Sequence, residues 1–411
     1  MAAGSLLKKT FLMLGGNMAA VVLQAVQFIL LARTLGAAEY GAFASVNAMV
    51  AIVVPLAGLG YGNVMLMTVS RDQKAAPVQL GNCLAVTVAL GLILVMAIVL
   101  AVQWVYGPKG NLPLALVVGL SELVLVRSCL VAGQLFQAMD QIKRLSMINV
   151  SISLCRVLAI VGLLASDQPQ ALNWAMISAS LLLLLTLVHV PAAARRAGGL
   201  RLSMAALQSQ WRDATYFALG TSAKAAYTDL DKVILGRTAP SAELGVYTTA
   251  YRLVVMAFIP VRSLLDVTAS RFFKSGQSGV QHSFALSKKL IRFSVPYGMV
   301  VGLGMYLCAP LVPWILGPSY GDTAEVLRWL APLPAIQAVH YVLSDALTGA
   351  GYQRVRTQIQ FLVLAIYAGL GLWLIPSHGW HGAAIVCLVS ESLLAVLVIL
   401  AVTKLLRQPR T

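Results

Sequence analysis

Residues 79–105 read QLGNCLAVTVALGLILVMAIVLAVQWV, an apolar run without a single charged side chain. A helix of about 20 residues spans the hydrocarbon core of a bilayer, and this run exceeds that length. Inside lipid every backbone N–H and C=O has to find its partner within the segment, so the run predicts a transmembrane helix. The pattern recurs along the chain. Apolar windows at 10–34, 42–69, 79–105, 113–138, 146–165, 172–194, 213–236, 244–270, 289–314, 323–349, 357–377 and 380–403 predict about 12 spans. The weakest is 213–236, which holds Lys224, Asp229, Asp231 and Lys232. Composition agrees: 59% of the 411 residues are hydrophobic and 11% charged, where a soluble domain carries about 25% charged residues. So much apolar surface has no place in one water-soluble core. The expectation is an all-α polytopic membrane protein.

The formal net charge is +16. Nucleic-acid binding would explain such a balance, but the placement of the charges argues against it. With the N-terminus inside, about 20 Lys and Arg fall in inner segments and 4 (Arg33, Lys109, Arg237, Arg328) in outer ones. Shifting the count by one helix scrambles the alternation, so the asymmetry supports both the helix number and cytoplasmic termini. Lys8 and Lys9 precede an apolar run to about Leu31, too long for a signal-peptide core, which reads as a retained first helix. The five cysteines lie in apolar runs without a CxxC pair and read as buried apolar residues, with no disulfide framework and no metal site.

The two halves of the chain resemble each other. Leu31-Ala32-Arg33-Thr34 and Ala38-Glu39-Tyr40-Gly41 line up without a gap on Leu235-Gly236-Arg237-Thr238 and Ala242-Glu243-Leu244-Gly245. Pro55 falls within one residue of matching Pro260; Gly107-Pro108 matches Gly317-Pro318; Leu135, Ala138, Gln141 and Arg144 match Leu347, Ala350, Gln353 and Arg356. The offset is close to six helices. An even number preserves orientation, so the repeat is parallel: two six-helix lobes, 1–205 and 206–411, whose rocking would give alternating access.

The string Leu35-Gly36-Ala37-Ala38-Glu39-Tyr40-Gly41-Ala42-Phe43 resembles the start of bacterial polysaccharide repeat-unit flippases (Wzx-type), as do Asp231-Lys232-Val233-Ile234-Leu235-Gly236 and Glu243-Leu244-Gly245-Val246-Tyr247 with Ala250-Tyr251-Arg252. These belong to the multidrug, oligosaccharidyl-lipid and polysaccharide exporter superfamily. The resemblance implies a MATE-like fold with the first, second, seventh and eighth helices lining the cavity. It also implies a role in flipping polyprenyl-pyrophosphate-linked oligosaccharide across the bacterial cytoplasmic membrane, in membrane lipid, with polysaccharide polymerase and glycosyltransferases as candidate partners.

A pyrophosphate crossing a low-dielectric interior needs cations in place of its water, and ionisable groups in membrane helices usually face a cavity or a partner. Candidates for substrate contact are Lys224, Arg252, Arg127 and Arg156. For Arg127, Glu122 is five residues away, a poor same-face spacing, so its partner is either another helix or substrate. Arg156 has no acid near it in sequence. Arg262 precedes Asp266 by one turn and reads as a structural ion pair. Arg33 and Arg237 hold equivalent positions beside Glu39 and Glu243, which suggests a structural role or an outer-gate salt bridge. Asp229 and Asp231 either bind a coupling cation or pair with Lys232 and Arg252; Asp345 and Glu391 are further intramembrane acids, and any of these could couple transport to protons or sodium. Pro55, beside Gly58, Gly60 and Gly62, and Pro260 are expected to kink or interrupt their helices, and interruptions at matching repeat positions point to a binding region. His189, His340, His378 and His381 are scattered, and His378 and His381, flanking Trp380 at an outer boundary, read as interfacial anchors. No phosphate-binding glycine loop and no GxSxG occurs, so no cofactor is expected. The alternative is a multidrug or cation antiporter of the same fold, which would need an anionic N-terminal lobe. A membrane enzyme would need paired carboxylates in a substantial loop, and neither is present.

Overall fold

The computed structural model describes residues 2–165, 169–277 and 280–407. Its α-helices are α1 (Ala2–Ala57), α2 (Tyr61–Arg71), α3 (Ala76–Tyr106), α4 (Leu112–Gly119), α5 (Arg127–Ala138), α6 (Ile142–Leu164), α7 (Ala171–Ala197), α8 (Met204–Thr238), α9 (Ser241–Gln277), α10 (Val280–Cys308), α11 (Leu311–Leu316), α12 (Thr323–Leu330), α13 (Leu333–Gly349) and α14 (Gln353–Arg407). A π-helical stretch, Leu120–Val126, joins α4 to α5.

Eight helical segments among the described residues are long and apolar enough to cross a membrane. Two of them, Val21–Arg71 and Gln353–Leu406, are 51 and 54 residues long. At about 1.5 Å per residue each would be more than twice as long as the hydrocarbon core is thick. Both bend at a glycine: Gly36 (φ 71°) and Gly379 (φ 54°). These are backbone conformations that side-chain-bearing residues rarely adopt, so each segment folds back as two passes. The remaining expected spans, 213–236 and 323–349, fall on α8 and on the α12–α13 pair, neither of which is among these eight. α8 is 35 residues long, but its charges lower its hydropathy. Thr323–Gly349 is divided between α12 and α13 by a turn at Ala331–Pro332.

By contacts the chain divides into two compact units, Met1–Val233 and Ile234–Thr411, where the sequence repeat sets its boundary at 205/206. Most of α8 packs with the first unit: Tyr61 donates to the Leu207 carbonyl and Ala214 joins the core built on Met65, Leu80, Leu135, Phe136 and Ile148. The core of the second unit gathers Phe258, Phe272, Leu290 and Val342. Here α10 lies so close to α13 that a Cβ at Gly298 would sit 2.7 Å from the Pro334 carbonyl and one at Gly302 2.3 Å from that of Ala331. A small residue every fourth position lets two helix backbones meet. The opposite faces stay apolar. Ile93, Met96, Leu100 and Trp104 form an exposed stripe on α3, the surface that lipid covers. Cys308 is exposed too, which corrects the expectation that every cysteine is buried.

The repeat is visible in local geometry. Gly107 and Gly317 both have positive φ, and each leads into a 3₁₀ turn, Gly107–Lys109 and Pro318–Tyr320. Glu39 accepts the N–H of Ala171, the first residue of α7, at 2.8 Å. Its equivalent, Glu243, accepts the N–H of Trp380, just past the Gly379 bend, at 2.7 Å. A carboxylate at a helix N-terminus satisfies an orphan donor and complements the macrodipole. So the glutamates beside Arg33 and Arg237 each anchor the last crossing of their own half, while both arginines lie exposed.

Candidate functional site

Proline has no N–H, so Pro55 cannot donate to the Ala51 carbonyl. Three residues further on the helix fails. α1 ends at Ala57, Leu59 and Gly60 turn left-handed (φ 42° and 74°), and α2 restarts at Tyr61. The last carbonyls of α1 are left without intrahelical donors. One of them, Val54, accepts from the Arg127 guanidinium at 2.9 Å. A cation at a helix C-terminus also complements the dipole. Arg127 opens α5 directly after the π-helical stretch that contains Glu122. In a π-helix the bonding runs from i to i+5, so residues five apart sit on neighbouring turns. Five residues make a little more than one turn of a π-helix, so Glu122 and Arg127 stand on successive turns of this segment. The Arg127 Nε is buried with no hydrogen-bond partner among the described residues.

Glu122 takes its cation from another helix. Arg156, on α6, places a guanidinium nitrogen 2.5 Å from its carboxylate, with both side chains roughly a quarter exposed. The sequence offered no acid near Arg156; the partner comes from 34 positions away. Arg127, Glu122 and Arg156 together carry one net positive charge at the broken second crossing of the first unit.

Near the end of α8 the Lys232 ammonium lies 3.0 Å from Asp229 and 3.5 Å from Asp231, and it donates to the Thr228 carbonyl at 2.5 Å. Asp231 is fully buried and Lys232 nearly so. Pairing and backbone contacts offset the desolvation of such charges. Of the two readings offered for these aspartates, pairing with Lys232 is present. The side chains of Lys224 and Asp266 lie outside the described residues. Arg262 is exposed, its guanidinium 6.0 Å over the Tyr341 ring. Arg252 is partly buried on α9. Pro260 sits inside α9, which runs on unbroken to Gln277, so the interruption expected at the second proline is absent. Asp345 is bound to Arg356 at 3.4 Å.

Comparison with known proteins bears on what this arrangement serves. The family model for polysaccharide biosynthesis proteins matches residues 6–275. The chain belongs to this family. The resemblance carried by residues 35–43 and 231–252 therefore holds. No curated protein sequence matches the chain significantly. Among solved structures, the chain is similar to an inward-facing multidrug resistance MATE family transporter, with 14% identity, 95% of this chain and 96% of that chain covered, and a TM-score of 0.79. It is similar to the lipid II flippase MurJ in an inward closed conformation, with 12% identity, 96% and 87% coverage and a TM-score of 0.73. A transporter from Pyrococcus furiosus, described as having a binding pocket of reverse polarity, aligns at 15% identity over 98% and 96% of the two chains, with a TM-score of 0.64. At such identities the likeness establishes the fold: this family member is a multi-pass membrane protein built like these transporters.

Proposed function

We propose that the chain moves a polyprenyl-pyrophosphate-linked oligosaccharide from the cytoplasmic to the periplasmic leaflet of a bacterial inner membrane, by alternating access, for surface polysaccharide synthesis. In this reading both termini are cytoplasmic, the chain is a carrier and no enzyme, and glycosyltransferases and a polymerase act before and after it. The observation that carries it is the cationic trio of Arg127, Glu122 and Arg156 at the broken second crossing, within a family of polysaccharide biosynthesis proteins. A net positive group partly open to its surroundings suits a diphosphate, whose oxygens accept charge-assisted hydrogen bonds from guanidinium. The same trio disfavours a cation antiporter, which needs the opposite sign in this half of the molecule. Lys224 and Arg252 are proposed as further substrate contacts.

The test is a deletion strain. Lipid-linked saccharides extracted from it should contain complete repeat units that accumulate on the cytoplasmic side. The wild-type gene should reverse this, while Lys224→Ala and Arg252→Ala should insert normally yet fail to restore export. No accumulation, with surface polysaccharide unchanged, would remove the flippase reading and bring the antiporter forward.

A further inference from the structure

α7 is 27 residues long, about 40 Å, which carries it through the hydrocarbon core and into the headgroup layer. It ends on Gly198 and Gly199, both at positive φ (87° and 111°). The Gly199 N–H donates to the Ala194 carbonyl at 2.8 Å, and the chain continues as a non-helical strap to Ser203. The strap is fastened to the start of α3. Arg201 donates its N–H to the Pro77 carbonyl at 3.0 Å. The buried Asn82 side chain donates to the Ser203 carbonyl at 3.0 Å and accepts the Ser203 N–H at 2.9 Å. A Cβ at Gly81 would lie 2.2 Å from the Arg201 carbonyl oxygen, so glycine is what lets the strap come this close. Ser203 Oγ then accepts the Ala206 N–H at 3.3 Å, in the first turn of α8.

This clamp uses the backbone of the strap and leaves large apolar side chains uncovered. Leu200, Leu202 and Met204 are 52%, 72% and 69% exposed. In the first turns of α8, Leu207 packs against the core of the first unit, while Met204, Gln208 and Trp211, spaced i, i+4 and i+7, are exposed. Exposed cations alternate with them: Arg195 at the end of α7, Arg201 in the strap and Arg212 on α8. Arg196 donates to the Gln141 amide oxygen at 2.7 and 3.2 Å, in the amide orientation that suits both groups. Arg71, Lys74, Lys143 and Arg144 are exposed at the same end, against Asp72 and Asp140; Asp72 is engaged with the Lys74 N–H. Leucines with a tryptophan among them suit the boundary of the acyl chains. Guanidinium groups between them suit the oxygens of a phosphodiester. A nucleic acid would take the cations and leave the leucines in water, and a neutral lipid would take the leucines and leave the arginines without a counter-charge.

We propose that residues 195–212 form a binding surface for anionic phospholipid of the adjacent leaflet. Headgroup phosphates pair with Arg195, Arg201 and Arg212, and Leu200, Leu202 and Trp211 enter the upper acyl layer. The connection between α7 and α8 is thus held at the bilayer surface from two sides, by lipid outside and by Asn82 inside. The surface depends on the membrane placement of the first unit and is independent of what the protein transports.

The test reconstitutes the purified full chain in phosphatidylcholine vesicles that carry the same small fraction of either brominated phosphatidylglycerol or brominated phosphatidylcholine. The fluorescence of Trp211 is read as the difference between wild type and Trp211→Phe. Brominated phosphatidylglycerol should quench it about twice as strongly as brominated phosphatidylcholine at ~0.1 M salt, and the ratio should fall to about one at ~1 M salt, where screening is short-ranged. The salt comparison needs no variant of the arginines. The triple substitution Arg195→Gln, Arg201→Gln and Arg212→Gln, eluting as a single species, should bring the ratio to about one already at low salt. Equal quenching by the two lipids in the wild type would reduce the strap to a neutral interfacial anchor and overturn the proposal. So would a preference that salt leaves unmoved or that survives the triple substitution. Quenching of Trp211 by aqueous acrylamide and by neither brominated lipid would give the surface to a water-soluble partner and sink the lipid assignment.

Discussion

After Pro55 the chain stops being helical at Ala57 and restarts at Tyr61, whereas after Pro260, its repeat equivalent, α9 continues for 17 more residues to Gln277. The proline is the same; its neighbours differ. Behind Pro55 come Gly58, Gly60 and Gly62, and behind Pro260 the positions equally far along hold Ser263, Leu265 and Val267. The turn already carries one left-handed leucine, Leu59 at φ 42°; the second left-handed position costs little because it is Gly60, and Leu265 in its place would add strain. The freed Val54 carbonyl also has a cation to receive it. Arg127 has no counterpart in the second half: when Leu135 is matched to Leu347, its place falls to Val339. A helix with a proline thus breaks where glycines permit the turn and a donor takes the exposed carbonyl.

The largest effect that could break this comparison comes from Arg127→Ala. Removing the guanidinium leaves the Val54 carbonyl unpaired, at a cost of about 2–3 kcal/mol. The expected result is a lower melting temperature in detergent and loss of polysaccharide export, with Arg127→Lys recovering part of both. Unchanged melting and export would mean that the break is held by its glycines alone. Next in size is the loss of Arg156's partner in Glu122→Gln, expected to destabilise by about 1–2 kcal/mol because the pair is partly solvated. Equal stability of Glu122→Gln and wild type would reduce the pair to a surface contact.

The proline exchange follows. Pro260→Ala restores an N–H toward the Met256 carbonyl in a helix that is already continuous, so stability should rise by about 1 kcal/mol and export should stay within about twofold. Pro55→Ala should impair export more than Pro260→Ala does, because it lets α1 extend toward Gly58. Similar export defects in both variants would erase the asymmetry. The smallest expected effect is at the glutamate anchors. Glu39→Gln and Glu243→Gln each retain an oxygen acceptor but lose the charge facing a helix N-terminus, worth about 0.3–1 kcal/mol. Matching losses in hydrogen-exchange protection at Ala171 and Trp380 would sharpen the repeat, and a loss at only one would limit it.

The polytopic helical fold and the Gly-Pro turns at 107 and 317 were legible in the residues themselves. Hydropathy over about 20 residues and positive-φ glycines act locally, so a linear reading captures them. The interior charges were legible as candidates and illegible as partners. Arg156 meets Glu122 from another helix, Glu243 meets Trp380 across 137 positions, and His340 meets Glu391 across the boundary between α13 and α14. Spacing rules for same-face pairs presuppose an α-helix. The π-helical stretch at Leu120–Val126 changes which residues share a face, and there Glu122 pairs with Arg156 while Arg127 turns to the Val54 carbonyl. Which face a membrane helix turns inward depends on how it packs against its neighbours, because lipid on the outside is as apolar as the core within. Composition along such a helix says that it crosses; helix rotation and packing determine which of its charges ever meet.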